Sequence, residues 1–427
     1  MDLRPDVGAV AGLNTLIDVP VDVTVHDFSG HPFQADLARR LAARGHRVLH
    51  LSSAEYVGGK GRLQREPGDP ATLTFDQISV GRPFNKYSPA DRIRWEREYG
   101  RATIERLAEQ SGVAIMCNVP LLAMASFVRA ARRTNRPWVF WHQDVYSAAM
   151  ADEAARRLPR PLAKLVASAF DRLEAWCARR AGHVVAIGDA FTAVYRRWKV
   201  DPAKVSVIPN WAPLEEIVPV DRDNPQAKSI FAGTNDTDLR LLYAGTLGRK
   251  HNPGLLVDLL VAARDAGLPA VLSVVSEGEA ADELRARAAE QPDLPLAVHP
   301  FQPATLLSET LGSADVLIGL LEPEATMFSI PSKVLTYMAT GRTILGLMPM
   351  DNPAAADITT CGGFVDMPTP AGAQRAANWL AENAAAPSTR AQIGRRTRGV
   401  AEEKFDPDRI TSAFEAVIVD LATSAPR

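Results

Sequence analysis

The sequence predicts an α/β protein with parallel sheets, divided into two domains. Three observations carry that expectation. Short apolar runs of strand length alternate with longer runs whose apolar residues recur at helical spacing, the pattern of strands joined by crossover helices. At 427 residues the chain exceeds what one core usually holds. Over residues 212–238 the composition turns to proline, charge and small residues, as in a linker, and the alternation then begins afresh. The expected domains are residues 1–215 and 216–405. A last helix opens at Asp406-Pro407 and carries Ile410, Phe414, Val417, Ile418 and Leu421 on one stripe. Such a face must bury, and packing of residues 406–422 back on the first domain is one way.

Composition narrows the class. Hydrophobic residues make up 46% and charged residues 23%, as in soluble globular proteins. A net charge of −2 gives no global basic field for nucleic acid. Cys117, Cys177 and Cys361 are far apart and lack metal-ligand spacing, so they read as reduced core thiols. No apolar run approaches transmembrane length and no signal peptide opens the chain, which predicts a cytoplasmic protein with at most peripheral contact at the inner membrane face.

Taken in order, residues 1–19 read as a loose lead-in. Val21, Val23 and Val25 alternate with polar residues and predict a first strand ending at His26-Asp27. The loop Phe28-Ser29-Gly30-His31-Pro32 follows, with Gly30 free to turn tightly or to let backbone approach a ligand. Phe33, Leu37 and Leu41 predict a helix stopped by Gly45, and residues 47–51 (RVLHL) a second strand. This βαβ opening places the first loop at a ligand-facing edge. Residues 58–62 form a glycine-rich basic loop without phosphate-loop spacing. A charged helix is expected over about 89–110. Strands follow at Val113–Cys117 and residues 138–141 (WVFW), the latter running into His142-Gln143-Asp144. A histidine just past a strand's C-terminal end stands at the usual catalytic edge, although a buried structural role fits the residue type equally.

Residues 154–180 are helical, broken near Pro159 and Pro161, with seven basic residues interleaved with Leu158, Leu162, Leu165 and Phe170. Two readings stand: an amphipathic surface for an anionic membrane, or leucines on the core with arginines merely solvated. Strands at 184–187 and 205–208 complete the first half. In the second, strands at 239–243, 271–275, Leu296–His299, 315–321 and Thr343–Leu347 alternate with helices, and residues 245–251 form a loop after the first.

Between the last two strands lies PSKVLTYMATGRTIL, residues 331–345. Pro331 or Ser332 can open a short helix, Val334, Leu335 and Met338 share a face, and Gly341 stops it. Lys333 then sits at a helix N-terminus, where free amides and the dipole already favour an anion. An ordinary surface lysine on a β-loop-α unit is the plainer alternative.

These motifs, in this order, resemble the retaining nucleotide-sugar glycosyltransferases of family 4, bacterial types building capsule, exopolysaccharide or lipid-linked glycans. The anchors are GHRVLHL at 45–51, ARRAGHVVAIGDA at 178–190, VIPNW at 207–211, YAGTLGRKHNP at 243–253, SEGE at 276–279, ADVLIGL at 314–320 and the PSK stretch. The resemblance implies a GT-B fold, two Rossmann-like domains facing across a cleft. It implies a nucleotide-sugar donor, most simply a UDP-sugar, a glycan or lipid-linked acceptor, and neither cofactor nor essential metal. By position, Gly245 and Thr246 approach the diphosphate and Lys333 meets the leaving phosphate. The family's usual arginine and lysine places hold Thr246 and His251, so Arg249 and Lys250 stand as shifted substitutes. The acidic E-x7-E element is replaced by Phe328 and Thr336, with Ser332 beside them and Glu322 and Glu324 available upstream. The base is expected near Phe301, the donor sugar near His142, and donor phosphates and acceptor near Gly30. Asp221-Arg222-Asp223, Asp236-Thr237-Asp238 and Asp406-Pro407-Asp408 match D-x-D but read as turns and caps. A GT-B epimerase, or a non-catalytic nucleotide-sugar binder, remains the alternative function.

Overall fold

In the computed structural model of the chain, residues 20–56, 61–84, 88–248, 252–323, 328 and 331–424 are described. The lead-in, residues 58–60 of the basic loop, Arg249, Lys250, His251 and Glu324 lie outside them.

The first half runs β1 (Asp22–Asp27), α1 (Pro32–Ala43), β2 (Arg47–Ser53), β3 (Leu73–Ile78), α2 (Pro89–Ala108), β4 (Val113–Cys117), α3 (Leu121–Thr134) and β5 (Trp138–His142). It continues through α4 (Tyr146–Arg157), α5 (Arg160–Ala178), β6 (His183–Ala186), α6 (Phe191–Trp198) and β7 (Val205–Val207). The strands order β3-β2-β1-β4-β5-β6-β7 in one sheet. Each registered pair is parallel, as when Val23 faces both Val48 and Val113. The central strands carry almost continuous apolar runs because both faces are covered. Gly45, at φ +95°, ends α1 in the left-handed region that favours glycine.

The second half follows the same rule. A short helix α7 (Ala227–Ile230) leads into β8 (Leu239–Ala244), α8 (Gly254–Asp265), β9 (Ala270–Val275), α9 (Glu279–Glu290), β10 (Leu296–His299), α10 (Leu307–Gly312) and β11 (Val316–Leu320). Then come α11 (Ser332–Ala339), β12 (Thr343–Leu347), α12 (Pro353–Thr360), β13 (Phe364–Asp366), α13 (Pro370–Asn383), α14 (Pro387–Lys404) and α15 (Pro407–Ser424). The sheet order is β10-β9-β8-β11-β12-β13, parallel at every registered pair. Its core joins Leu241, Tyr243, Leu259, Leu272, Ile318 and Leu345. The linker-like segment is anchored rather than bare, since Ile217, Ile230 and Phe231 within it are buried.

Packing divides the chain into two compact units. One comprises Met1–Trp141, Arg180–His183 and Glu415–Arg427; the other comprises His142–Arg179 and Val184–Phe414. Within the first, Glu415 of α15 accepts hydrogen bonds from Arg44 at 2.8 Å and His46 at 2.9 Å. Val21 N–H donates to His46 Nδ1, so His46 Nε2 carries the proton that meets Glu415. These bonds, His46's first, hold the Glu415 carboxyl below its usual pKa against the opposing effect of burial.

Two departures from expectation stand out. The strands β3 and β13 are additional. The break in the basic helical region falls at Leu158 and Pro159, as the prolines require, yet Leu162 and Leu165 do not face a core. They are 46% and 65% exposed, because α5's first turns bury only Ala163.

Candidate functional site

In a sheet ordered β9-β8-β11-β12, the connections leave β8 and β11 in opposite directions. Such a switch, beyond the strands' C-terminal ends, is where open parallel sheets usually take ligands. The loop after β8 begins with Gly245 and Thr246; the segment after β11 carries Glu322 and leads to α11. Helix α11 begins at Ser332 after Pro331, without a side-chain cap on its first amides. Val334, Leu335, Tyr337 and Met338 bury its inner face. Lys333 therefore projects from the first turn, over the end of β8.

There Lys333 Nζ donates to Tyr243 Oη at 2.6 Å and reaches the Thr246 carbonyl at 3.5 Å. Tyr243 Oη in turn donates to that carbonyl at 2.7 Å. A Cβ at Gly245 would stand 3.6 Å from Lys333 Cε and Nζ, and φ at Gly245 is +131°, so glycine suits both backbone and close approach. Burial lowers the Lys333 pKa to about 8, with the Glu322 carboxylate pulling the other way. Burial also raises the Tyr243 phenol, which stays neutral. The result is a partly buried ammonium beside helix-end amides and a glycine loop, suited to an anion such as a phosphate.

Tyr337 builds the floor. Its hydroxyl donates to the Ala244 carbonyl at 2.7 Å and accepts from the Ala244 amide at 3.0 Å. Registered pairing of β8 with β11 involves Leu241 and Leu242 only. Tyr337 thus supplies the hydrogen bonds that a neighbouring strand would give.

Residues 30–211 match the glycosyl transferase 4-like domain. A probable glycosyltransferase, WbjE of Pseudomonas aeruginosa, is 23% identical over 248 residues, 56% of this chain and 58% of that relative. The chain thus spans under two thirds of that relative's length. Sucrose-phosphate synthase from Thermosynechococcus elongatus aligns over 95% of this chain and 100% of its own, with TM-score 0.66 and 15% identity. Anabaena HepE, solved in complex with UDP and glucose, aligns over 94% and 100%, with TM-score 0.64 and 13% identity.

The chain has the GT-B fold of these structures, and its first half carries the match to the glycosyl transferase 4-like domain.

In this chain the remaining expected site residues fall in several places. Ser332 and Thr336 share α11 with Lys333, and the Thr336 hydroxyl donates to the Ser332 carbonyl at 3.3 Å. Phe301, beyond β10, is 46% exposed, and its amide donates to Glu277 at 3.2 Å. At the end of β9, the buried Ser276 hydroxyl has no partner among the described residues. His142 closes β5 with 2% of its surface exposed. Its Nε2 lies 3.2 Å from Glu174 Oε1, a carboxylate acceptor, and Nδ1 lies 2.9 Å from Tyr195 Oη. Glu174 also accepts from the first amides of α4, Tyr146 at 2.9 Å and Ser147 at 2.8 Å. Burial opposes the Glu174 charge, but the His142 and Ser147 hydrogen bonds hold its pKa below the usual value.

Gly30 stands at the other sheet's switch, after β1, at φ +71°. Its carbonyl accepts from Gly61 at 2.7 Å, and a Cβ there would meet Leu63 at 2.6 Å. Next to it the chain carries a cluster that sequence reasoning missed. Asn118 Nδ2 donates to Asp27 Oδ1 at 2.8 Å and lies 3.1 Å from His31 Nδ1, while the His31 amide donates to Asp27 Oδ2. Burial raises the Asp27 pKa; His31, Asn118 and the His31 and Ser29 amides oppose it. Asp27 ends β1 and Asn118 follows the last residue of the neighbouring β4, far apart in sequence, so only the β1–β4 pairing could have linked them.

Each D-x-D pair is engaged locally. Asp221 accepts from the Asp223 amide, Asp238 from the Asn235 amide, and Asp406 from the Arg409 amide at the start of α15.

Proposed function

We propose that this chain transfers a sugar from a UDP-sugar donor to a glycan or lipid-linked acceptor, with retention at the anomeric carbon and without an essential metal. The observation that carries the reading is the convergence of Lys333, Gly245 and Thr246 at the β8/β11 switch, beside the free amides of α11. A complex with UDP and glucose in HepE, a protein of like fold, supports the choice of nucleotide.

The reaction needs charge placed where it develops. As the anomeric C–O bond breaks, the departing diphosphate gains negative charge and the sugar ring positive charge. The Lys333 ammonium and the backbone amides stabilise the former; one such preorganised donor is worth about 3–4 kcal/mol. The acceptor hydroxyl then attacks from the face the diphosphate leaves, and its proton passes to a leaving phosphate oxygen. One C–O bond forms, one breaks, and no protein nucleophile is needed. With the D-x-D carboxylates tied into turns and a cap, lysine and amides carry the phosphate charge.

The test begins with a scan of nucleotide sugars for thermal stabilisation, followed by product analysis with glycan and lipid extracts. UDP-sugars should stabilise, and transfer should persist in EDTA. Activity lost to EDTA and restored by Mg²⁺ or Mn²⁺ would overturn the metal-free mechanism. Release of an altered free sugar without any acceptor would make the chain an epimerase instead.

A further inference from the structure

Each of the first three strands gives an aromatic residue to the segment beyond its C-terminal end: Phe28 after β1, Tyr56 after β2 and Phe84 after β3. With Trp95 and Tyr99 of α2 they form one cluster. The Phe28 ring centre lies 5.1 Å from Tyr56, 5.8 Å from Phe84, 5.7 Å from Trp95 and 5.1 Å from Tyr99. Phe28, Trp95 and Tyr99 are buried, whereas Tyr56 and Phe84 are only half-buried. The centres of those two outer rings stand 6.4 Å apart, with their planes inclined at 44°. They form an aromatic face at the sheet edge where parallel α/β sheets take ligands.

Hydrogen bonds hold this face in place. Glu55, beside Tyr56, accepts from the Ser79 hydroxyl, from the Val80 amide at 2.7 Å and from the Gly81 amide at 3.1 Å, joining the loops after β2 and β3. Trp95 Nε1 donates to the Arg82 carbonyl at 3.0 Å, and Arg82 Nε donates to Glu98 at 2.8 Å, fixing the approach to Phe84 on α2. The charged groups of these ties are engaged by the protein itself, which favours a neutral ligand. Two polar atoms are not so engaged. The Tyr56 hydroxyl has no hydrogen-bond partner among the described residues. His31, three residues beyond Phe28, accepts from Asn118 on Nδ1, so its Nε2 carries a proton to donate, on a side chain 43% exposed.

Such a face suits a molecule that is apolar on its flat sides and polar around its rim. A pyranose is made that way: its C–H bonds lie against the negative face of an aromatic ring, while its hydroxyls radiate outward to hydrogen-bonding groups. An acyl chain would desolvate the Tyr56 hydroxyl and the His31 donor without bonding to either. We propose that Tyr56 and Phe84 form a stacking platform for one sugar ring of a glycan acceptor, with the Tyr56 hydroxyl and His31 Nε2 bonding to its hydroxyls. This gives the acceptor class of the proposed transfer, and rests on that reading for the sugar's role but not for its binding.

Saturation-transfer NMR of the full chain with the methyl glycosides of glucose, galactose, mannose and N-acetylglucosamine tests it with no donor present. At least one glycoside should bind, with saturation strongest on the C–H protons of one ring face. Tyr56→Ala and Phe84→Ala should each weaken that binding about fivefold, and Tyr56→Phe about threefold. Lys333→Ala should lose thermal stabilisation by UDP yet keep glycoside binding, which separates this site from the diphosphate site. Circular dichroism checks that the variants fold. In the unaltered chain a bound glycoside should shield Tyr56 from nitration by tetranitromethane, read by peptide mass spectrometry, so the test does not hang on any variant. If UDP fails to stabilise the chain while glycosides bind and shield Tyr56, the transfer reading falls and the saccharide platform stands. Absence of binding by all four glycosides would overturn the platform, as would binding that leaves Tyr56 unshielded and is insensitive to the ring variants. Displacement of the glycoside by uridine alone would also overturn it, assigning the rings to a nucleobase.

Discussion

Lys333 meets a neutral phenol before it meets any anion, and that arrangement has a pH signature. In the free protein burial sets its pKa near 8, so the ammonium is lost as pH rises through about 8. Under the proposed transfer, donor capture uses the charged form, so kcat/KM for the donor should fall across that range. Bound diphosphate favours the ammonium, which should move the corresponding limb of kcat to higher pH. Tyr243→Phe removes the oxygen that accepts from Nζ, and should shift the kcat/KM limb to lower pH with a several-fold loss below it. A profile flat through the alkaline range in both proteins would remove Lys333 from donor binding. Lys333→Ala should cost on the order of 10²–10³ in kcat, measured in a variant whose unfolding midpoint is unchanged. Lysine and glycine were legible in the sequence because helix starts and turns constrain residue type locally. Tyr243 was not, since a tyrosine inside an apolar strand reads as core and its partner lies 90 residues away.

At the scale of elements, β8 and β11 part company after Leu242, and Tyr337 makes that parting tolerable. Its hydroxyl satisfies both the amide and the carbonyl of Ala244, groups that are otherwise buried without partners. Tyr337→Phe keeps the ring and deletes only this bridge, so unfolding by denaturant should register a loss of about 1–3 kcal/mol. A variant as stable as the parent would show that water replaces the hydroxyl. Strong apolar strands and proline- or glycine-bounded helices were readable from periodicity. The edges were not: β3 buries only Leu73 and Ile78 fully, so it has no two-residue alternation, and β13 is three residues long. The exposed leucines of α5 mark a similar limit, since interleaved leucine and arginine look alike on a packed helix and on a protruding one.

Across the whole molecule, stability should be sensitive to acid through two interior imidazoles. His26 on β1 and His50 on β2 are held neutral by burial, with pKa values lowered to about 4 and about 3. Unfolding returns them toward the ordinary value near 6.5, so between these limits the unfolded chain binds more protons. Stability is therefore fully present above about 6.5 and is lost progressively as pH falls toward 4 and 3. Neither ring nitrogen of His50 has a partner among the described residues. His50→Leu should flatten the acid slope of the unfolding midpoint and raise stability at neutral pH by about 1 kcal/mol. An unchanged slope would refute the assignment. Two parallel sheets were legible at this scale, because strand–helix alternation and chain length act globally. The long-range polar pairs were not, because no local rule joins them.

One such pair sets a timetable for biogenesis. Arg44 and Glu415 are 371 residues apart, so the first unit lacks this contact until α15 has been synthesised. At about 5–20 residues per second the wait is roughly half a minute, long beside helix or hairpin formation. The second unit, ending at Phe414, has left the ribosome's active centre by then. The early strands thus spend much of translation before Glu415 can reach His46 and Arg44, an interval in which nascent-chain binding factors would find them.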